Sequence, residues 1–187
     1  MRRCLLLFML LSACASPNPR LYTLASVPGP AVAAPARIID VHPVGLARYL
    51  DRPGIVARVD PYRVTLVDNA RWAEPFPDML SRVLAADLAR RLPNSTVFTA
   101  ASPITAPPDL GVEVDIQRFD ALARFELVAT IALQKSGQAA KVTHFRRAAP
   151  MPSGGEESQI ATMSALLGEL ADDIAAMIGH EPGLGAP

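Results

Sequence analysis

The sequence predicts an α/β domain: a mixed sheet with a C-terminal antiparallel meander and two long helices packed on one face. Three observations predict it. Two long segments carry apolar residues at three- and four-residue spacing, so each is a helix with one apolar stripe. Three consecutive stretches between residues 110 and 150 alternate apolar and polar residues and are joined by tight turns. Short β-branched runs precede the first helix. A helix with a single apolar face needs a sheet to bury it against, and two such helices share one side of that sheet.

Taken in order, the first strand is read in "ARIIDVHPV", Ala36–Val44, a short β-branched run closed by Pro43. "GLARYLDRPG" follows as a loop marked by Pro53 and Gly54. "IVARV", Ile55–Val59, and "YRVTLV", Tyr62–Val67, are two more short strands. "PFPDMLSRVLAADLARRLP" is the first helix, with Phe76, Leu80, Val83, Leu84, Leu88 and Leu92 on one stripe. Pro77 suits its first turn, Asp78 the positive end of its dipole, and Arg90 and Arg91 the negative end; Pro93 stops it. "TVF", Thr96–Phe98, is a short strand.

The meander comes next. "LGVEVDIQRFD" alternates Leu110, Val112, Val114 and Ile116 against Glu113, Asp115 and Gln117. "RFELVATIAL" alternates Phe125, Leu127, Ala129, Ile131 and Leu133, and "AKVTHFRRAAP" follows a Lys135-Ser136-Gly137 turn. The last helix runs from Glu156 to Ile178, with Ile160, Met163, Leu167, Leu170, Ile174 and Met177 inward and Gly179 and Pro182 as its end signals. The expected order is β-β-β-α-β-β-β-β-α.

The N-terminus belongs to a different class of signal. Arg2 and Arg3 precede the apolar run Leu5–Leu11, which is far short of the roughly 20 residues that span a bilayer. A charged start, a short apolar region and the small residues Ser12 and Ala13 describe a secretory signal peptide. Leu11-Ser12-Ala13-Cys14 resembles the bacterial lipobox, which implies cleavage before Cys14 and acylation of its thiol and new amino group. The plainer alternative is a secreted protein with a cysteine at its cut site. Stable anchoring takes more than one acyl chain, at about 0.8 kcal/mol per buried methylene. The two cysteines, Cys4 and Cys14, precede or open the mature chain, so its body carries no disulfide framework. Ala15 follows the cysteine, not the aspartate that resembles an inner-membrane retention signal in enterobacterial lipoproteins, which implies the outer membrane, on its periplasmic face.

These readings divide the chain into residues 1–13 (signal peptide), 14–36 (tether), 37–180 (one periplasmic α/β domain) and 181–187 (disordered tail). The tether reading rests on "ASPNPRLYTLASVPGPAVAAP", rich in Pro, Ala and Ser without a sustained period. Within it, "RLYTL" is apolar enough to dock on the domain. Without the first 13 residues the 18 basic side chains of the chain fall to 16, against 18 acidic. With no long charge run, nucleic-acid binding has no electrostatic support.

Three stretches carry a wider resemblance: "YTL", "HPVGLARYLDRPGIVAR" (His42–Arg58) and "ARWAEPFPDMLSRVLAADLARRLP" (Ala70–Pro93). They are similar to the ABC-type transport auxiliary lipoproteins, which include the paraquat-inducible protein C lipoproteins. The resemblance covers about residues 20–180. It implies an α/β fold and an outer-membrane lipoprotein partnering an inner-membrane mammalian-cell-entry (MCE) protein, whose machinery moves lipids across the envelope. It implies no enzyme activity and no cofactor beyond the covalent lipid on Cys14. Several copies around an MCE hexamer or tube would suit that role, so a homo-oligomer is compatible with it. A structural or regulatory lipoprotein that activates a cell-envelope enzyme is the competing function.

The residues agree with a non-catalytic role. The sequence holds no H-E-x-x-H, G-x-S-x-G or phosphate-cradling glycine loop. His42 sits at a strand end, His144 beside Phe145 on a strand, and His180 in the expected frayed tail. Asp172 and Asp173 are expected on the solvated side of the last helix. Two readings stay open for the motif residues. Tyr49, Asp51, Arg52 and Pro53 either order a turn or present a docking surface. Arg71, Trp72 and Glu74 either plug the helix entry or belong to that same surface, since Trp, Tyr and Arg dominate interface hot spots.

Overall fold

A computed structural model describes residues 18–103, 106–135 and 137–180. The signal peptide, Cys14 and the residue 181–187 tail lie outside the described residues. Those that are described form β1 (Arg20–Tyr22), β2 (Ile38–Val41), β3 (Gly45–Leu46), β4 (Gly54–Arg58), β5 (Val64–Trp72), α1 (Phe76–Arg91), β6 (Thr96–Thr99), β7 (Leu110–Ala121), β8 (Arg124–Lys135), β9 (Lys141–Pro150) and α2 (Glu156–His180).

The main sheet runs β6-β2-β7-β8-β9, with β3 also paired to β7. It is mixed, as expected: β2 is parallel to β6 and β7, while β7, β8 and β9 form the antiparallel meander. β2 and β3 are one line along β7 broken at Pro43, which has no N–H for the ladder. The flanking donors still pair: His42 N–H reaches Val112 O at 3.0 Å and Ala47 N–H reaches Ile116 O at 2.9 Å. α1 lies over β2 and β6, α2 over β8 and β9, and the helices pack on each other. Ile39, Val112, Ile116, Leu127 and Ile131 from the sheet meet Leu80, Leu84, Leu88, Leu167, Leu170 and Ile174 from the helices, all nearly free of solvent.

Four expectations are corrected. The first concerns sheet number: β4 and β5 leave the main sheet and join β1 in a second, three-stranded sheet ordered β1-β5-β4. The second concerns β5, which continues past Val67 to Trp72, so Ala70, Arg71 and Trp72 lie on a strand and not at a helix entry. Asn69 permits this by taking φ 54, a left-handed conformation that asparagine tolerates better than most side chains.

The third correction concerns the tether. From Arg20 onward the segment is laid down on the domain. β1 pairs in parallel with the end of β5, and Leu24 is 2% exposed. The chain then crosses the groove between the helices. Ala25 N–H donates to Ser164 Oγ at 3.1 Å on α2, and Ser26 Oγ and Val27 N–H donate to Asp87 Oδ1 on α1 at 2.6 and 2.9 Å. Val32 N–H then reaches Arg91 O at 2.7 Å. An extended strap that bonds to side chains leaves no period in its sequence.

The fourth concerns α2, which runs through Gly179 to His180. Gly179 is a contact glycine rather than a stop: a Cβ there would sit 2.6 Å from Val32 Cγ1, and one at Gly168 would sit 2.2 Å from Val27 Cγ2. The two glycines cut the groove in which the strap lies.

Candidate functional site

The motif residues of the sequence meet at one end of the small sheet. Gly54 is the partner of Arg71, and Trp72 N–H donates to Pro53 O at 2.9 Å. Tyr22 pairs with Trp72 on the other side, and Ala73 N–H reaches Tyr22 O at 2.8 Å. "YTL", "YLDRP" and "RWAEP" are therefore three adjacent strand ends, although they begin at Tyr22, Tyr49 and Arg71 in the chain.

Their side chains divide into internal and external groups. Trp72 points inward at 7% exposure and stacks on Phe76, with centroids 4.5 Å apart and planes 2° from parallel. The stack continues to Phe119, which meets Phe125 edge to face. Such packing makes Trp72 a core residue, unavailable to a partner. Glu74 pairs with Arg82, which also reaches Thr23 Oγ1 at 3.3 Å, tying the exit of β1 to α1.

Tyr49 belongs to a buried charge cluster. Its hydroxyl donates to Asp120 Oδ2 at 2.7 Å, Arg58 Nη2 donates to the same oxygen at 2.7 Å, and Arg118 Nε donates to Oδ1 at 3.0 Å. Arg58 also lies over the Tyr49 ring, 5.4 Å from its centroid. Burial pushes the Tyr49 hydroxyl up to about 12, helped by its bond to the carboxylate. Burial also pushes Asp120 upward, but bonds from Arg58, Tyr49 and Arg118 outweigh it and hold the carboxyl below its ordinary value. The sequence hid this hub. The β7–β8 register shifts between Ile116 and Arg118, so the alternation changes phase and Phe119 and Asp120 are both buried.

Arg52 and Arg71 remain. Both are exposed, and neither has an ion-pair or side-chain hydrogen-bond partner among the described residues. Arg71 lines a cleft of about 700 Å³ with Asn18, Pro19, Pro53, Gly54 and residues 66–70. The cleft exists because β5 spends the residues between Leu66 and Arg71 where β4 spends only those between Val56 and Gly54.

Elsewhere, the structure assembles no histidine cluster among the described residues. His42 lies 3.5 Å from Glu113 and 3.7 Å from Asp40. His144 Nδ1 is 3.3 Å from Thr130 Oγ1, and His180 closes α2 with Nδ1 2.6 Å from Ala176 O. Asp172 is corrected: it holds the buried Arg91, Nε to Oδ1 at 2.5 Å, while Asp173 pairs with Arg147 at 3.0 Å. Arg91 also donates to the carbonyls of Val27 and Gly168, so this arginine joins the strap to both helices.

Residues 22–175 match the family model of the ABC-type transport auxiliary lipoprotein component. The chain belongs to this family. No curated protein matches it. Two solved structures share the auxiliary lipoprotein's fold. An uncharacterized protein aligns with TM-score 0.68 at 19% identity, over 84% of this chain and 99% of that one. A protein from Xanthomonas campestris aligns with TM-score 0.66 at 20% identity, over 84% of this chain and 93% of that one.

Proposed function

We propose that this auxiliary lipoprotein is acylated at Cys14, stands on the periplasmic face of the outer membrane, and serves an MCE/ABC-type lipid transport system without performing catalysis. In this reading it docks on an inner-membrane MCE protein. The family match carries the proposal. Convergence of the three resembling segments in one small sheet supports it, because they form one built unit and not scattered likenesses. Tyr49, Trp72 and Glu74 build that unit, whereas Arg52 and Arg71 face outward from it.

Two measurements test the reading. Palmitate labelling should mark the wild type and vanish in Cys14→Ser; a Cys14→Ser chain that still labels refutes the anchor. Affinity purification of the acylated protein from native membranes, read by mass spectrometry, should enrich an MCE protein and its permease. Enrichment of a cell-wall enzyme with no MCE protein would instead identify a regulatory lipoprotein.

A further inference from the structure

We infer that the outer face of the small sheet, around the cleft, rests on the phospholipid surface in which the protein is anchored. The inference depends on acylation at Cys14. Four Cα–Cα steps separate Cys14 from Asn18. Fully extended, they reach no more than about 14 Å. The chain enters the domain at Asn18 and Pro19, which are themselves walls of the cleft. β1 begins at Arg20, so the domain has no longer lead with which to stand off the bilayer. The mouth of the cleft is thus the part of the fold that the anchor brings to the lipid headgroups.

The side chains on that face suit such a surface. Leu21 and Arg71 are partners in the parallel β1–β5 pair and so project on the same side, opposite to the row of half-buried Tyr22 and buried Trp72. Leu21 is 65% exposed and Leu66 is 49% exposed. Leu66 leans over Gly54, whose missing Cβ would lie 3.4 Å from both of its methyl carbons. Leu66 and Arg71 therefore line the concavity, while Leu21 projects beside Arg71 and the exposed Arg52 immediately precedes Pro53 of its wall. Leucine side chains enter the boundary between headgroups and acyl chains, while arginines remain at the phosphates. Asp51 and Asp68 are exposed nearby, so the fit comes from apolar contact plus phosphate bonding, not from a large positive field.

The test uses the full acylated chain. Cys4 leaves with the signal peptide and Cys14 carries lipid, so one added cysteine is the only free thiol. Leu21→Cys, Leu66→Cys and Val142→Cys are labelled with a fluorophore and reconstituted into phosphatidylethanolamine–phosphatidylglycerol vesicles containing a headgroup nitroxide lipid. Val142 is exposed on β9, an edge of the other sheet. Intact mass first establishes acylation, and circular dichroism establishes folding. The Leu21 and Leu66 labels should be quenched several-fold more than the Val142 label, and Arg52→Glu with Arg71→Glu should reduce that difference. Acylated protein with equal quenching at all three positions overturns the membrane face while leaving the anchor standing. Crosslinking of the Leu21 and Leu66 thiols to a second copy or to an MCE protein, without quenching, also overturns it. A chain not acylated at Cys14 removes both the anchor and the inference.

Discussion

Replacing Asp120 by alanine removes the acceptor at the centre of the Tyr49–Arg58–Arg118 cluster. The carboxylate side chain is fully enclosed, whereas the Arg58 side chain keeps 16% exposure. Breaking a buried ion pair by deleting one partner costs about 3–5 kcal/mol, because the other charge is left uncompensated. Arg58 can turn partly to water, which places the loss near the low end, about 3 kcal/mol. For a domain of this size 1 kcal/mol moves Tm by about 2–4 °C, so the variant should melt roughly 6–12 °C early. The sign with pH is fixed as well. Asp120 titrates lower in the folded protein than in the unfolded chain, so its contribution is complete above the unfolded value, about pH 4, and disappears as pH falls through the folded value. The gap between wild type and Asp120→Ala in urea unfolding should be flat from neutral to about pH 4 and close below it. A loss under about 1 kcal/mol, or a gap that closes as pH rises, refutes the assigned role of the cluster.

Leu84→Ala and Leu170→Ala, each at the helix–sheet core, should each cost about 2–5 kcal/mol in the same unfolding assay. Gly168→Ala drives a methyl into Val27 and should cost about 1–3 kcal/mol, with early protease cleavage of the strap; adding Val27→Ala should recover most of the loss. Arg52→Glu with Arg71→Glu should leave stability within about 0.5 kcal/mol of wild type, since both side chains are exposed and unpaired. Early melting of that double variant would mean that the arginines brace the small sheet and the turn leading into it.

Both helices and the meander were legible because each repeats one local period long enough to show in a window of sequence. The β8 alternation from Phe125 to Leu133 is the inward row of the structure. What escaped reading depends on contacts between distant residues. Trp72 reads from sequence either as a packed residue or as part of a docking surface, and its pairing with Tyr22 and its stack on Phe76 turn it inward. The apolar, β-branched run of β5 ends at Val67 in the sequence, while the strand continues through Asp68 and Asn69 by means of a bulge. Arg91 fits a helix C-terminus by sequence, yet its enclosure depends on Asp172, a residue of the other helix. Among the candidate residues, Tyr49, Trp72 and Glu74 proved internal or paired, and Arg52 and Arg71 outward-facing.

The strap has a consequence for the order in which the molecule can be completed. Ala25 is held by Ser164 and Arg20 by Glu156, so the first-made stretch of the domain depends on the last-made helix. Contacts across such long separations form late, because the loop they close costs entropy before it returns contact energy. α1 and the meander can collapse while synthesis continues, but Val27 and Val32 have no Gly168 and Gly179 to rest on until the C-terminus has emerged. A chain broken off before α2 would display a bare ribbon, with Leu24, Val27 and Val32 uncovered. Proteases would then find the unfinished product at the strap, and completion of α2 removes that cleavage site.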